Sequence, residues 1–497
     1  MRRQIHHYAV IDVAPLGMVI AFLDSRGRGG HESERVSEIG EYVFAMELAF
    51  NQFPTGQRRQ GGTQFGIGQL RHVSIIQRTG PRARTAPPMG AWRDMSNELP
   101  RLRLGLEFFP SEDPGRPGLL IRDPYRFSEA VLMIPAPLVE ALSCFDGERT
   151  ELDLRASLVH ATGEIQVGEL ERHLVTTLGD AGFLDDEKFA AMRDSRQRDF
   201  REAPAREAAH AGSAYPEEAS AARGQIDGYL QAGAGRRREG LIGVAAPHVS
   251  PSGGWRAYRE AYAGLGPEYR ERTFVILGTS HYGEPDRFGL TRKPFATPLG
   301  ETRTDIALVD ELEANAPASV RMEDYCHSIE HSIEFQVLFL QHRFGPDIRI
   351  VPVLCGAYGL SLYRGGMPED TEPVKRFLGA LGEIAAREAE RLFWVLGIDM
   401  AHIGRRYGDP LDACAGEGEM ANVERRDRAR IESVNAGDAR SFWEQVRENH
   451  DPLKWCGSSP LYTFLKTVPS ARGALERYEQ WNIDERSVVS FAAMSFR

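Results

Sequence analysis

The sequence predicts an α/β protein, a central sheet flanked by helices, preceded by a small winged-helix domain. Three observations carry this. After residue 206, short apolar runs alternate with helical stretches, the signature of an α/β sheet. Ahead of it, two strand-like runs are followed by helices and a closing apolar segment. Residues 1–94 show neither pattern and stand apart in composition.

In chain order, residues 1–94 are rich in Gly, Arg and Pro ("SRGRGGHESER", "TGQRRQGGTQFGIGQ", "RTGPRARTAPPMGAWR"). Such a segment buries too little surface to fold firmly. Two readings stand: a disordered segment, or an over-extended start with the natural one at Met95. Residues 95–186 come next as the winged-helix domain. "GLLIRDP" and "AVLMIP" read as strands, Pro137 to Leu142 begins a helix, and "FDGERTELDL" supplies a turn and a cap, Thr150 with Asp153. Leu170, Leu174 and Leu178 recur at four-residue steps, and a short strand runs through Phe183 and Leu184. Residues 187–206 read as a helical linker ended near Pro204. Residues 207–497 form the large domain, with strands expected at Leu241–Ala246, Thr273–Leu277, Ile348–Leu354, Leu392–Leu396 and Val488–Met494.

Bulk properties narrow the function. The chain has 60 Lys+Arg against 71 Asp+Glu, a formal net charge of -11, so no nucleic acid is expected as partner. The candidate recognition helix of the winged-helix domain agrees, setting Glu169 and Glu171 against Arg172 and His173. Five cysteines without a CxxC pair read as a reducing, cytoplasmic compartment. No run approaches the roughly 20 apolar residues of a membrane span, and the opening residues lack a signal-peptide cleavage site.

The residues at the carboxyl ends of the large domain's strands decide the functional reading, because open α/β sheets bind ligands beyond those ends. "LIGVAAPH" ends in His248, "FVILGTSH" in His281 and "FWVLGIDMAH" in Asp399 and His402. A lone histidine there is ordinarily a cap or packing residue; three at equivalent places are harder to dismiss. Imidazole is the commonest metal-binding side chain, and a thiolate or carboxylate can complete such a site. Cys456, just before an apolar helix, is the candidate thiol. Cys355, ending "IVPVLCG", reads instead as a small core residue.

"HSIEHSIE" (327–334) repeats a four-residue word, which returns side chains to one helix face. On a helical wheel Ile329, Ile333, Val337 and Leu340 face the core, and His327 and His331 lie opposite, so spacing does not choose between the histidines. Resemblance does. "EHSIEFQVLFLQ" (330–341) resembles the E-H-S-I/L-E-x-Q-x-x-x-L-Q segment of the Memo family, called system protein B where it occurs beside radical-SAM and AMMECR-type proteins. "HAGSAYP" (210–216), "APH" (246–248), "LGTSH" (277–281), "VPVLCG" (351–356), "DMAH" (399–402) and "WCGSSPL" (455–461) agree in order. His331 then holds the family position and His327 is the extra copy.

The resemblance implies a fold like the class III extradiol dioxygenases. It implies His248, His281 and Cys456 as ligands of iron, Fe(II) first and copper second, with His331, Asp399 and His402 around them in catalytic roles. It implies radical-SAM and AMMECR-type partners and a redox or dioxygenase-like step; the alternatives are a non-catalytic peptide-binding, metal-handling or scaffold protein. Residues 95–186 are similar to the PqqD-like peptide-recognition family through "CFDGERT" (144–150) and "AGFL" (181–184), which implies a peptide or protein substrate added as a strand; a docking or dimerisation module is the alternative. Three departures stand out: "PHVSPSGGW" where the family has "PHAGY", "GID" for "SSD" at 397–399, and "SHY" for "SHH", which leaves Tyr282 as an alternative phenol.

Overall fold

The computed structural model of the chain describes residues 98–231, apart from 112 and 114, and 237–497. The expectations for residues 1–94 lie outside the described residues. The described chain divides into two compact units, one to Arg198 and one from Asp199.

In the first unit, strands β1 (Glu107–Pro110), β2 (Gly118–Arg122) and β3 (Val131–Pro135) form an antiparallel sheet in that order. Leu119, Ile121, Leu132 and Ile134 point inward at the period of two that one buried face demands. Where the sequence reads a helix from Pro137, the chain makes two 3-10 turns, Ala136–Leu138 and Glu140–Cys144. Pro135 and Pro137 remove amide donors there, which favours short, tight turns over an α-helix. Helix α1 (Glu151–Thr162) starts with a capping box: the Asp153 N–H donates to Thr150 Oγ1, and the Thr150 N–H to Asp153 Oδ2. Leu174 and Leu178 of α2 (Gly168–Asp180) join Leu154 and Leu158 in the core, and Leu184 meets Leu102 in a single bridge. Helix α3 (Glu187–Glu202) stops before Pro204, as the restriction on residues preceding proline favours.

The second unit holds α4 (Ala219–Gln231), β4 (Gly243–Ala246), α5 (Pro251–Tyr262), β5 (Thr273–Thr279) and β6 (Phe288–Leu290). Three two-residue strands, β7 to β9, lie between 296 and 304. Then come α6 (Ile306–Asn315), β10 (Val320–Met322), α7 (His331–Phe344), β11 (Arg349–Cys355), α8 (Gly359–Arg364), α9 (Glu372–Arg387), β12 (Leu392–Gly397) and β13 (His402–Gly404). The chain closes with α10 (Glu419–Asn435), α11 (Ala439–Arg447), α12 (Ser458–Thr467), β14 (Gly473–Asp484) and β15 (Ser487–Phe496).

The mixed sheet runs β10-β6-β11-β5-β12-β4-β15-β13, with β14 also paired to β15. Its centre, β11-β5-β12-β4, is parallel; β15 joins β4 antiparallel and β6 joins β11 antiparallel. The parallel strands are buried on both faces, as parallel sheets are. Val275 and Leu277 of β5 pack with Phe377, Leu381 and Phe464 on one side, while Phe274 and Ile276 pack with Tyr258, Tyr262 and Phe339 on the other. The fold is thus a central mixed sheet flanked by helices. Among the described residues, no helix is long and apolar enough to cross a membrane.

One local expectation is overturned. "HSIEHSIE" does not lie on one helix: Tyr325–Ser328 is a 3-10 turn, and α7 begins only at His331, with Glu330 as its N-cap. Ser332 to Gln341 are all buried, because the sheet covers one side of the helix and residues 206–215 with α4 and α5 cover the other.

Candidate functional site

Glycines set the position of α7. A Cβ on Gly397 would lie 2.1 Å from the Ser332 carbonyl oxygen, and one on Gly278 would lie 2.5 Å from Ser332 Oγ. Lacking side chains there, β5 and β12 let the first turn of α7 sit directly on their carboxyl ends, tied by Ser332 Oγ donating to the Thr279 carbonyl at 2.8 Å. His331 is thereby brought to the edge where β4 delivers His248 and β5 delivers His281.

The three imidazoles form one cluster. Ring centroids are 5.0 Å apart for His248 and His281, 5.1 Å for His248 and His331, and 4.9 Å for His281 and His331. One ring nitrogen from each lies within 4.8 Å of the others. Cys456, reached through the loop before α12, places Sγ 3.1 Å from His248 Nε2. Asp399 accepts the His248 N–H at 2.9 Å through Oδ1, and its Oδ2 lies 3.5 Å from His248 Nε2.

The other ring nitrogens are tied. His248 Nδ1 pairs with the Gly397 carbonyl at 3.0 Å. Glu330, almost wholly buried, faces His281 Nδ1 at 3.0 Å and His331 Nδ1 at 3.2 Å, and accepts the backbone N–H groups of His281, His331 and Ser332. Oε1 of this carboxylate thus caps α7, and the carboxylate as a whole orients two rings, leaving Nε2 of each toward the cluster.

Electrostatics divide the roles. Burial opposes charge on His281, but Glu330 and Cys456 outweigh it and hold the imidazole well above its ordinary range. His331 is held well below: burial leads, and the neighbouring His281, His248 and His210 add to it against the pull of Glu330. Burial pushes against the Cys456 thiolate, yet His248 and His281 bring its pKa below the usual thiol value. Burial raises Asp399 to about 6 despite the nearby His402 and two backbone N–H donors. The cluster therefore contains a neutral ring, a thiolate-prone sulfur and a carboxyl poised near neutrality.

Of the residues expected from sequence, His248, His281, His331, Asp399 and Cys456 come together here. His402 stands behind Asp399, its Nδ1 facing the carbonyls of Met400 and Lys454 and its ring edge-on to Tyr407. Tyr282 lies edge-on to His281 at 6.3 Å. Cys355 is wholly buried, its thiol pushed up to about 12 by burial. His327 points away from the cluster toward the Gly289 carbonyl, 3.1 Å from Nε2, with Nδ1 buried and unpartnered.

Sequence reasoning missed Glu330 and the buried group behind it. Glu334 pairs with Arg206, both without exposed side-chain surface, and accepts from the Ala209 and His210 N–H groups at 3.0 Å and from the Tyr215 hydroxyl. Arg206 also donates to the carbonyls of His327 and Glu330, bracing the turn ahead of α7. The second glutamate of "HSIEHSIE" and the "HAGSAYP" segment were the available signals.

Fold and cluster together define an α/β protein with an imidazole and thiol pocket at the carboxyl edge of its parallel strands. Residues 206–495 match the family model described as Memo-like protein, and the chain belongs to the Memo family. A MEMO1 family protein of Aquifex aeolicus is 27% identical over 384 residues, 76% of this chain and 95% of that one. One from Thermus thermophilus is 28% identical over 54% of this chain and 75% of its own, and one from Methanosarcina barkeri 24% over 52% and 87%.

Proposed function

We propose that this protein binds one iron or copper ion at the pocket and uses it in a redox or dioxygenase-like step. The observation that carries the reading is the donor set itself: three imidazoles with ring nitrogens within 4.8 Å of one another and a thiol 3.1 Å from one of them. The residues fit such an ion. Nδ1 of His248 and His281 is engaged, so each offers Nε2, and metal-ligating histidines ordinarily have such outer partners. His248, His281 and Cys456 would hold the metal, with His331 beside them. A bound ion would supply Lewis acidity and one-electron redox chemistry.

The chain's own residues supply the rest. Glu330 fixes ring orientation. Asp399, at about 6, holds or releases a proton beside His248 at neutral pH, with His402 favouring its charged form. Burial of His248 and Asp399 keeps bulk water from that side. For residues 95–186 we infer a winged-helix, PqqD-like module that recognises a peptide, making a peptide or protein the substrate. Radical-SAM and AMMECR-type partners and a cytoplasmic location are inferred from the family resemblance and the cysteine usage. The competing reading, metal handling without turnover, draws on the Cys456 sulfur, since a soft thiolate favours Cu(I).

Anaerobic titration with Fe(II) and with Cu(I), followed by oxygen-electrode measurements, tests the proposal. One equivalent bound by wild type and lost in His248→Ala, with oxygen uptake by the iron form, supports it. Binding without uptake under any peptide supplied selects metal handling, and no binding of either ion overturns both.

A further inference from the structure

Directly ahead of Cys456 the backbone is in an unfavourable conformation. Asn449, His450 and Asp451 have φ of 52°, 58° and 54°, and Lys454 has 55°. None is glycine, and side-chain-bearing residues reach this left-handed region at a cost, so a run of them persists only where surrounding contacts impose it. Such strain clusters at functional sites.

The imposing contacts are buried. Asp451 accepts from Arg430 Nη1 at 2.8 Å through Oδ1 and from the Trp455 N–H at 2.7 Å through Oδ2. Arg430 is 2% exposed and also donates to the Gln445 carbonyl at 3.0 Å. Trp455 is held through its indole N–H, which donates to Asp427 Oδ1 at 2.7 Å; Asp427 in turn accepts from Tyr478 and Ser490. At the turn's outer end, His450 Nδ1 meets the Leu362 carbonyl at 3.0 Å.

This segment presents two parts of the pocket. The Leu453 carbonyl accepts the His402 N–H at 2.9 Å, and the Lys454 carbonyl lies 3.1 Å from His402 Nδ1. The next residues carry Cys456, whose carbonyl accepts from Thr279 Oγ1 at 3.0 Å, and Gly457, whose N–H donates to the Asp399 carbonyl at 3.0 Å. We propose that Asn449–Trp455 is a rigid clip, locked by Asp451 on Arg430, and that Asp451 is a positioning residue that sets Cys456 against His248 and fixes the ring of His402. The clip deepens the reading of the pocket as a metal site, but its geometry does not depend on an ion.

Thiol labelling of the metal-free full-length protein tests it. Iodoacetamide modification of Cys456 is followed by mass spectrometry, with the wholly buried Cys355 as internal control for global opening. Two variants are compared with wild type. Asp451→Asn opens the lock while keeping a side chain that tolerates the left-handed region. Trp455→Phe removes the indole donor that ties the end of the clip to Asp427, which keeps its Tyr478 and Ser490 donors, and it keeps the test alive if Asp451→Asn does not fold. The clip predicts at least tenfold faster labelling of Cys456 with Cys355 unchanged. A Cys456 rate within twofold of wild type, or one that rises only in step with Cys355, overturns it. Metal content is measured separately: wild type without metal but with the predicted labelling pattern removes the metal reading and leaves the clip.

Discussion

Glu330 holds more of the pocket than any other single side chain, since one buried carboxylate caps α7 and orients His281 and His331. Replacing it with Gln keeps the shape but puts an amide against groups that all donate. We expect Glu330→Gln to lower affinity for Fe(II) or Cu(I) by about 10- to 100-fold, read by competition titration. Unchanged affinity would remove Glu330 from the site. His327 gives a prediction with a pH sign. Burial lowers its pKa to about 3, while the unfolded chain protonates near the ordinary value of 6.5. Below about 6.5 the unfolded state therefore takes up a proton that the folded state does not, and stability falls as pH drops toward 3, by on the order of 5 kcal/mol in total. His327→Leu should cost roughly 1–2 kcal/mol at pH 7, where the Gly289 carbonyl loses its donor, yet flatten the dependence between pH 6 and 4 in chemical denaturation. An equally steep profile in the variant would contradict this. At this scale the strand-end residues were legible because a histidine directly after an apolar run has one place to go. Glu330 was not, because nothing in "CHSIEHSIE" marks a helix start: no Gly or Pro breaks the word, and the aspartate that caps the preceding turn, Asp324, serves the 3-10 segment instead.

Helix α7 is the element on which the pocket depends, and its seat on β5 and β12 exists only because Gly278 and Gly397 lack side chains. Gly397→Ala would drive a methyl group into the Ser332 carbonyl, pushing the helix and His331 away; a loss of about 3 kcal/mol in urea denaturation and weakened metal binding are expected. A variant as stable as wild type would mean that α7 yields at no cost. The five strands read from sequence are all present, each with at least one end shifted, because buried strands, the parallel β4, β5, β11 and β12 and the antiparallel β15 alike, are continuous apolar runs. The short β6 and β13 and the long β14 were missed: three-residue strands carry no period, and β14, "GALERYEQWNID", alternates charge and aromatics on an outer position. The helical wheel places Ile333, Val337 and Leu340 in the core and His331 opposite them, as found, but it carries the helix back through His327, and a helix covered on both sides gives no polar face from which to read the burial of Glu334.

At the scale of the whole molecule, the match to the Memo family spans 206–495, and every member of the pocket falls within it. The sheet brings strands from across that span to one edge, so residues distant in sequence meet because the parallel strands β4, β5 and β12 all end there. Glu330 and the Arg206–Glu334 pair then lock α7 from behind, and the strained segment before Cys456 completes the pocket from the opposite side of the sequence. The measurement that bears most directly on this is elemental analysis of protein purified anaerobically from cells, comparing wild type with His281→Ala and Cys456→Ser, with folding checked by circular dichroism. Near one equivalent of iron or copper in wild type, lost in both folded variants, is the predicted result. No metal in wild type after anaerobic reconstitution, or equal metal in all three, would contradict it.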